Sequence, residues 1–214
     1  MLSTDFADWD ARYRAAASCG LAEPASFVRE LMPLLPFGPA LDLACGAGRH
    51  TLLLAASHSV TAVDASSEAL DLLVQHAANA GLSVTREPSL EAACCGHQGI
   101  QLVRADLEQV KLPPASFTLI VCVQYLQRSL FPQMEAALSP GGMLLFETYT
   151  RAQLEFSTGP RNPAYLLESG ELRAAFPTLR TLVYRELRAG KGIASLLGQK
   201  PRHSTASHFP KHTR

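Results

Sequence analysis

Five residues at three places in the chain have types and spacing that could act together. Asp42, Gly46 and Gly48 lie in Leu41-Asp42-Leu43-Ala44-Cys45-Gly46-Ala47-Gly48-Arg49, Asp64 in Val63-Asp64-Ala65, and Asp106 in Arg104-Ala105-Asp106-Leu107. The first stretch reads as a buried strand entering a glycine turn, where positive φ is free and a ligand can approach the backbone closely. Asp64 follows about 20 residues later, at a second strand end, where a carboxylate can accept both hydroxyls of a ribose. Asp106, with the amide of Leu107, is placed to meet the edge of a base. Singly, each has a plainer reading: a packing turn, a helix cap at Ser66, a surface carboxylate. Their conjunction at three strand ends points to an adenosine ligand.

The type of adenosine follows from two departures. A dinucleotide fingerprint needs a third glycine, and Gly46-Ala47-Gly48-Arg49-His50-Thr51 places Thr51 there, which weakens a pyrophosphate grip. Asp42 repels a diphosphate and suits a cationic ligand such as the amino-acid and sulfonium end of S-adenosylmethionine. A nicotinamide dehydrogenase is further disfavoured because no Tyr-x-x-x-Lys pair follows the fourth strand.

Short apolar runs alternate with helical segments, which predicts an α/β fold. Strands are expected at 40–44, 60–63, 100–104, 117–123 and 143–148, with a closing pair at 179–186 and 193–197 turned at 189–192. Helices are expected at 6–17, 24–35, after Ser66 or Ser67, at 130–138 and at 168–176, with a turn at 139–142. The segment Glu87 to Gly99 reads as an insertion. The resulting fold class is a Rossmann-like, doubly wound, mostly parallel seven-stranded sheet with helices on both faces and an antiparallel final strand. One domain over 1–199 with an N-terminal lid helix is expected, followed by a disordered tail over 200–214.

The 214 residues are 47% hydrophobic, enough for a substantial core. Lys+Arg equals Asp+Glu at 19 each, which argues against an obligatory nucleic-acid partner. The acidic N-terminal stretch lacks the apolar region of a secretory signal, and no apolar run approaches the ~20 residues of a membrane helix. Five cysteines without framework or CxxC spacing fit reduced thiols in the cytoplasm and no metal site.

Asp42 through Arg49 resembles motif I of class I S-adenosylmethionine-dependent methyltransferases. Val63-Asp64 resembles their acidic second motif, Ala105-Asp106-Leu107 their adenine-contacting motif, and Leu138 through Leu145 the loop and strand that follow. Trp9-Asp10-Ala11-Arg12-Tyr13 is similar to the N-terminal helix of small methyltransferases that closes over the cofactor. The stretches 168–173, 184–186 and 194–200 resemble the C-terminal third of the tellurite-resistance methyltransferase family, with the basic loop before the last strand shortened to 188–192. The resemblance implies S-adenosylmethionine as cofactor, held by Tyr13, Asp42, Ala44, Gly46, Gly48, Arg49, Asp64, Ala65, Asp106, Leu107 and Cys122.

Methyl transfer from a sulfonium asks the protein mainly for orientation and exclusion of water. Val121-Cys122-Val123-Gln124-Tyr125-Leu126 lacks the Asn/Asp-Pro-Pro-aromatic pattern of enzymes that methylate nucleic-acid amines. Acceptor-side candidates are Tyr13, Gln124, Tyr149 and Arg161, the last for an anion; a packing role for Tyr13 and a surface role for Arg161 are the alternatives. The expected acceptor is a small molecule, a chalcogen oxyanion or thiol, in a monomer or homodimer. Competing readings are a methyltransferase for RNA or protein and a non-catalytic cofactor-binding protein.

Overall fold

Alternation decides the sheet. In Pro39–Leu43, Ala40 and Asp42 point to one face and Leu41 and Leu43 to the other, as period-2 backbone requires. In a computed structural model that describes residues 3–94 and 99–202, and the side chains from residue 9 onward, this strand (β1) lies near the middle of an eight-stranded sheet. The others are β2 (Ser59–Asp64), β3 (Val84–Glu87), β4 (Ile100–Arg104), β5 (Phe117–Val123), β6 (Leu138–Tyr149), β7 (Arg180–Arg188) and β8 (Gly192–Gln199). Their order is β3-β4-β2-β1-β5-β6-β8-β7. The pairs from β3 to β6 are parallel, and β8 runs antiparallel to both neighbours.

The helices are α1 (Ser3–Ala16), α2 (Ser26–Leu31), α3 (Arg49–Ala55), α4 (Ser67–Asn79), α5 (Leu90–Ala93), α6 (Phe131–Ala137) and α7 (Glu171–Ala174). On one face Phe27, Val28 and Leu31 of α2 and Leu54 of α3 pack on Ala40, Leu119, Val121 and Leu145, while Leu70, Leu73 and Ala77 of α4 pack on Ala62, Ile100 and Leu102. On the other, Leu90, Phe131, Met134 and Leu172 cover Leu41, Ile120, Leu144 and Phe146. Phe131, Phe146 and Phe176 meet at 5.1–6.0 Å between ring centroids and close that layer. The doubly wound class expected from the sequence is the one observed.

Three local expectations are corrected. The sheet has eight strands rather than seven, because Val84–Glu87 pairs with β4 at the sheet edge. Its pattern is half exposed and polar, so it carries no apolar run to announce it. The turn expected at 139–142 is instead an irregularity inside β6: the register against β5 jumps from Phe117↔Leu138 to Leu119↔Met143, with Gly141 at φ 83. Lys200, expected in a disordered tail, places its ammonium on the carbonyls of Leu138 (2.7 Å) and Glu135 (2.8 Å), beyond the end of α6. Residues 203–214 of that tail, and 95–98 of the expected insertion, lie outside the described residues.

Candidate cofactor and acceptor site

The carboxyl ends of β1, β2, β4, β5 and β6 share one edge of the sheet, and the order in which strands are added reverses between the parallel neighbours β1 and β5, so a crevice opens there. Positive φ falls on that edge at Ala44 (55°), Gly46 (55°), Gly48 (91°) and Gln124 (59°). At Gly48 a Cβ would lie 2.5 Å from Cγ of Leu73, so glycine is required there for α3 and α4 to pack. At Gly46 a Cβ would overlap the hydroxyl of Tyr13, which reaches the turn from α1.

Asp64 ends β2 and its carboxylate bridges two backbone amides, Gly46 N at 2.8 Å and Ser66 N at 2.9 Å. Asp64 therefore helps start α4, as its plainer reading had it, and also braces the glycine turn. Each oxygen keeps a further lone pair for a ligand hydroxyl. Burial raises its pKa, opposed by those amide bonds.

Asp42 is 1% exposed, and Thr51 Oγ1 donates to its Oδ2 at 2.6 Å. Thr51, which breaks the dinucleotide fingerprint, thus serves as the partner of the buried acid. Burial pushes the Asp42 carboxyl up to about 7, with the Thr51 hydroxyl pulling the other way. Burial disfavours the ionised forms of both Asp42 and the partly exposed Asp64, and a neighbouring cation would reverse that preference.

Helix α1 is fastened over this turn. Ser66 Oγ caps α4 by accepting from Ala69 N at 3.1 Å and donates to Asp10 Oδ1 at 2.5 Å. The Ser66 hydroxyl holds the Asp10 carboxyl below its usual range. Arg14 pairs with Glu68 at 2.6 Å, both partly in solvent. Burial of the Tyr13 hydroxyl, next to Asp64, raises its pKa and keeps it protonated. Asp10 falls in the stretch similar to a lid helix, where its own role is not legible; only the docking of α1 on α4 gives it a partner.

Beyond β4, Asp106 accepts from Glu108 N at 2.9 Å and from the Gln109 carboxamide at 3.0 Å, and Leu107 is buried. A cleft of about 240 Å³ opens between Ala65, Arg104, Ala105 and Asp106, beside Asp64. A larger cavity of about 320 Å³ lies at the β6–β7 end, among Thr150, Arg151, Glu155, Glu168 and Arg188. Its two arginines are paired, Arg151 with Glu168 and Arg188 with Glu155; Glu186, which accepts from Ser169, Gly170 N and Tyr184, is a third carboxylate there, and the cavity walls include none of the glycine-turn residues.

At the other end of the crevice Gln124 follows β5. Arg49 donates to its carbonyl oxygen at 2.7 Å, and its amide nitrogen donates to the Tyr149 hydroxyl at 3.0 Å. Cys122 is fully buried, with Sγ 3.9 Å from the Tyr125 carbonyl, and packs with the core beneath α6. Arg161 is not brought to this cluster: its guanidinium donates to the Leu154 and Phe156 carbonyls of its own loop, at 3.2 and 2.9 Å. His50 is buried and accepts from Ala25 N at 3.1 Å; burial pushes it down to about 3, so it stays neutral and structural. Among the described residues no group of His, Cys, Asp and Glu could hold a metal ion.

A family model described as a methyltransferase domain matches residues 40–142, the span from β1 to the middle of β6. No curated protein matches the sequence. Among solved structures, one from a study of the conversion of a disulfide bond into a thioacetal group during echinomycin biosynthesis is similar at 18% identity, over 94% of each chain, with a TM-score of 0.65. TehB from Haemophilus influenzae is similar at 18% identity and TM-score 0.65, over 83% of this chain and 62% of that one. The N-methyltransferase NodS from Bradyrhizobium japonicum WM9 is similar at 18% identity and TM-score 0.61, over 82% and 93%. At these identities the likeness is one of fold.

Proposed function

We propose that this chain, which carries a class I S-adenosylmethionine-dependent methyltransferase domain, methylates a small acceptor. The supporting observation is the position of α1: Tyr13 covers Gly46, and Asp10 fastens the helix to the start of α4. A crevice covered by α1 at the glycine turn admits a small acceptor more readily than a strand of RNA or a folded protein. Balanced charge favours the same reading.

In this reading Asp64 receives the ribose hydroxyls, the cleft at Ala65, Ala105 and Asp106 with Leu107 takes the adenine, and the turn from Ala44 through Gly46 and Gly48 lies along the amino-acid end. Asp42 supplies negative charge beneath it, and Arg49 a partner for its carboxylate. Cys122 contributes the packed floor at the end of β5. S-adenosylmethionine brings a methyl group already activated on a sulfonium. The chain's residues therefore orient and exclude water. Tyr13 closes the crevice and Gln124 faces the acceptor. Arg161, tied to its own loop, is left to hold that loop. The finer assignment, to a chalcogen oxyanion or small thiol, rests on the resemblance of the C-terminal third to the tellurite-resistance methyltransferases and on the fold likeness to TehB.

Formation of S-adenosylhomocysteine tests this reading with selenite, tellurite, small thiols, bulk RNA and a protein extract as acceptors. Turnover with a small acceptor and none with the polymers is expected. Turnover only with RNA or protein would overturn it.

A further inference from the structure

The Arg49–Gln124–Tyr149 chain has a direction, and that direction sets what it can bind. A guanidinium only donates, so the Gln124 atom 2.7 Å from Arg49 must be the carbonyl oxygen. The amide nitrogen is thereby turned to the Tyr149 oxygen at 3.0 Å. Tyr149 then spends a lone pair on Gln124, and its own proton is left to point elsewhere. Gln124 keeps a second N–H, and Arg49 keeps donors that meet no other described residue.

The backbone holds this arrangement. Gln124 sits at φ 59, a left-handed conformation that a non-glycine residue adopts only when its surroundings fix it. They do so here: Gln124 N donates to the Glu147 carbonyl at 2.7 Å, and Tyr149 is locked two residues further along β6, its carbonyl accepting from Leu167 N at 2.9 Å. Gln124 itself is exposed at the mouth of the crevice. A strained, exposed carboxamide that aligns two neighbours is arranged for a ligand rather than for the core.

We propose that Gln124 and Tyr149, charged by the adjacent Arg49, form an acceptor subsite for a small oxygen-bearing anion, a carboxylate or an inorganic oxyanion. Three donor groups lie side by side there, and the Gln124 carbonyl and Tyr149 oxygen are the acceptors they meet among the described residues, so a ligand would supply the remaining lone pairs and the negative charge. Arg49 is shared: it stands between this subsite and the amino-acid end of the cofactor, and a bound anion completes its hydrogen bonds. The protonated tyrosine is a donor in this subsite, not a base. Burial of its hydroxyl raises its pKa, which agrees. This subsite deepens the small-acceptor reading and rests on it.

The test uses the full chain saturated with S-adenosylhomocysteine, titrated in separate arms with acetate and with selenite, by NMR or calorimetry. Millimolar or tighter binding is expected in at least one arm, and the arm that binds tells carboxylate from inorganic oxyanion. Tyr149→Phe should weaken it about tenfold, the loss of one charge-assisted hydrogen bond. Gln124→Glu, which neutralises Arg49 and repels an anion, should abolish it. Tyr149→Phe, which leaves the Arg49–Gln124 bond in place, should keep the wild-type affinity for S-adenosylhomocysteine, which separates a lost subsite from a damaged fold; Gln124→Glu, which draws on the shared Arg49, should weaken that affinity severalfold at most while abolishing anion binding. No anion binding to the wild type, or equal binding by wild type and both variants, overturns the subsite while leaving the methyltransferase reading intact. Failure to bind S-adenosylhomocysteine at all would instead strike the cofactor assignment.

Discussion

On the β1–β2 side of the crevice lie two carboxylates, the buried Asp42 and the partly buried Asp64; across β5 and β6, Gln124 and Tyr149, with Arg49 reaching over from α3, present donors. The acidic side is made by residues that end neighbouring strands, held by backbone amides and one hydroxyl. The donor side is made by side chains linked to one another across 25 and 75 positions of sequence. A sheet edge with acid at one end and donors at the other can seat a cationic ligand beside an anionic one, and a methyl group between them.

Removing the acid should have the largest effect. Asp64→Ala takes away the acceptor of two backbone amides and, in the proposed reading, of the ribose hydroxyls. Hydrogen bonds to a charged group are worth about 1.5–3 kcal/mol each, so cofactor affinity should fall by about 30-fold or more. A dissociation constant within twofold of wild type, by calorimetry, would remove Asp64 from the cofactor site. Loosening the cover should cost less. Asp10→Ala deletes the carboxylate that holds the capping Ser66 hydroxyl, an effect of about 1 kcal/mol. That corresponds to about fivefold in cofactor affinity, with faster proteolysis within the first 20 residues. Unchanged affinity together with unchanged proteolysis would mean that α1 is docked without Asp10.

The same contrast explains what was legible in the sequence. Asp42, Gly46, Gly48, Asp64 and Asp106 could be read because strand-end position follows from alternating apolar runs, and the topology brings strand ends together whatever the loops do. Tyr13 was placed by its similarity to a lid helix, and the structure sets its hydroxyl at Gly46. The pairing of Arg49 with Gln124 was not legible. It depends on a left-handed residue after β5, a position usually taken by glycine, and on β6 lying beside β5 in one register. Arg161 looked available because an arginine in a loop carries no sign of the carbonyls it will find. Val84–Glu87 was hidden by its polar pattern, since an edge strand needs only one partner and little burial.

Proton uptake offers a further handle on the acidic side. The native state holds the Asp42 proton up to about pH 7, whereas an unfolded carboxyl releases it near 3.9. Its contribution to stability is therefore complete below about pH 4 and is lost as pH rises toward 7. A cation bound beside it favours the ionised form, so binding below pH 7 expels the proton. The most direct measurement is calorimetric titration of the protein with S-adenosylmethionine at pH 6 and pH 8, in buffers of different ionisation enthalpy, with NAD in parallel. Micromolar binding that releases close to one proton at pH 6 and almost none at pH 8, with no binding of NAD, is the predicted result. Absence of S-adenosylmethionine binding, proton uptake instead of release, or binding of NAD would contradict an acidic crevice built for a cationic methyl donor.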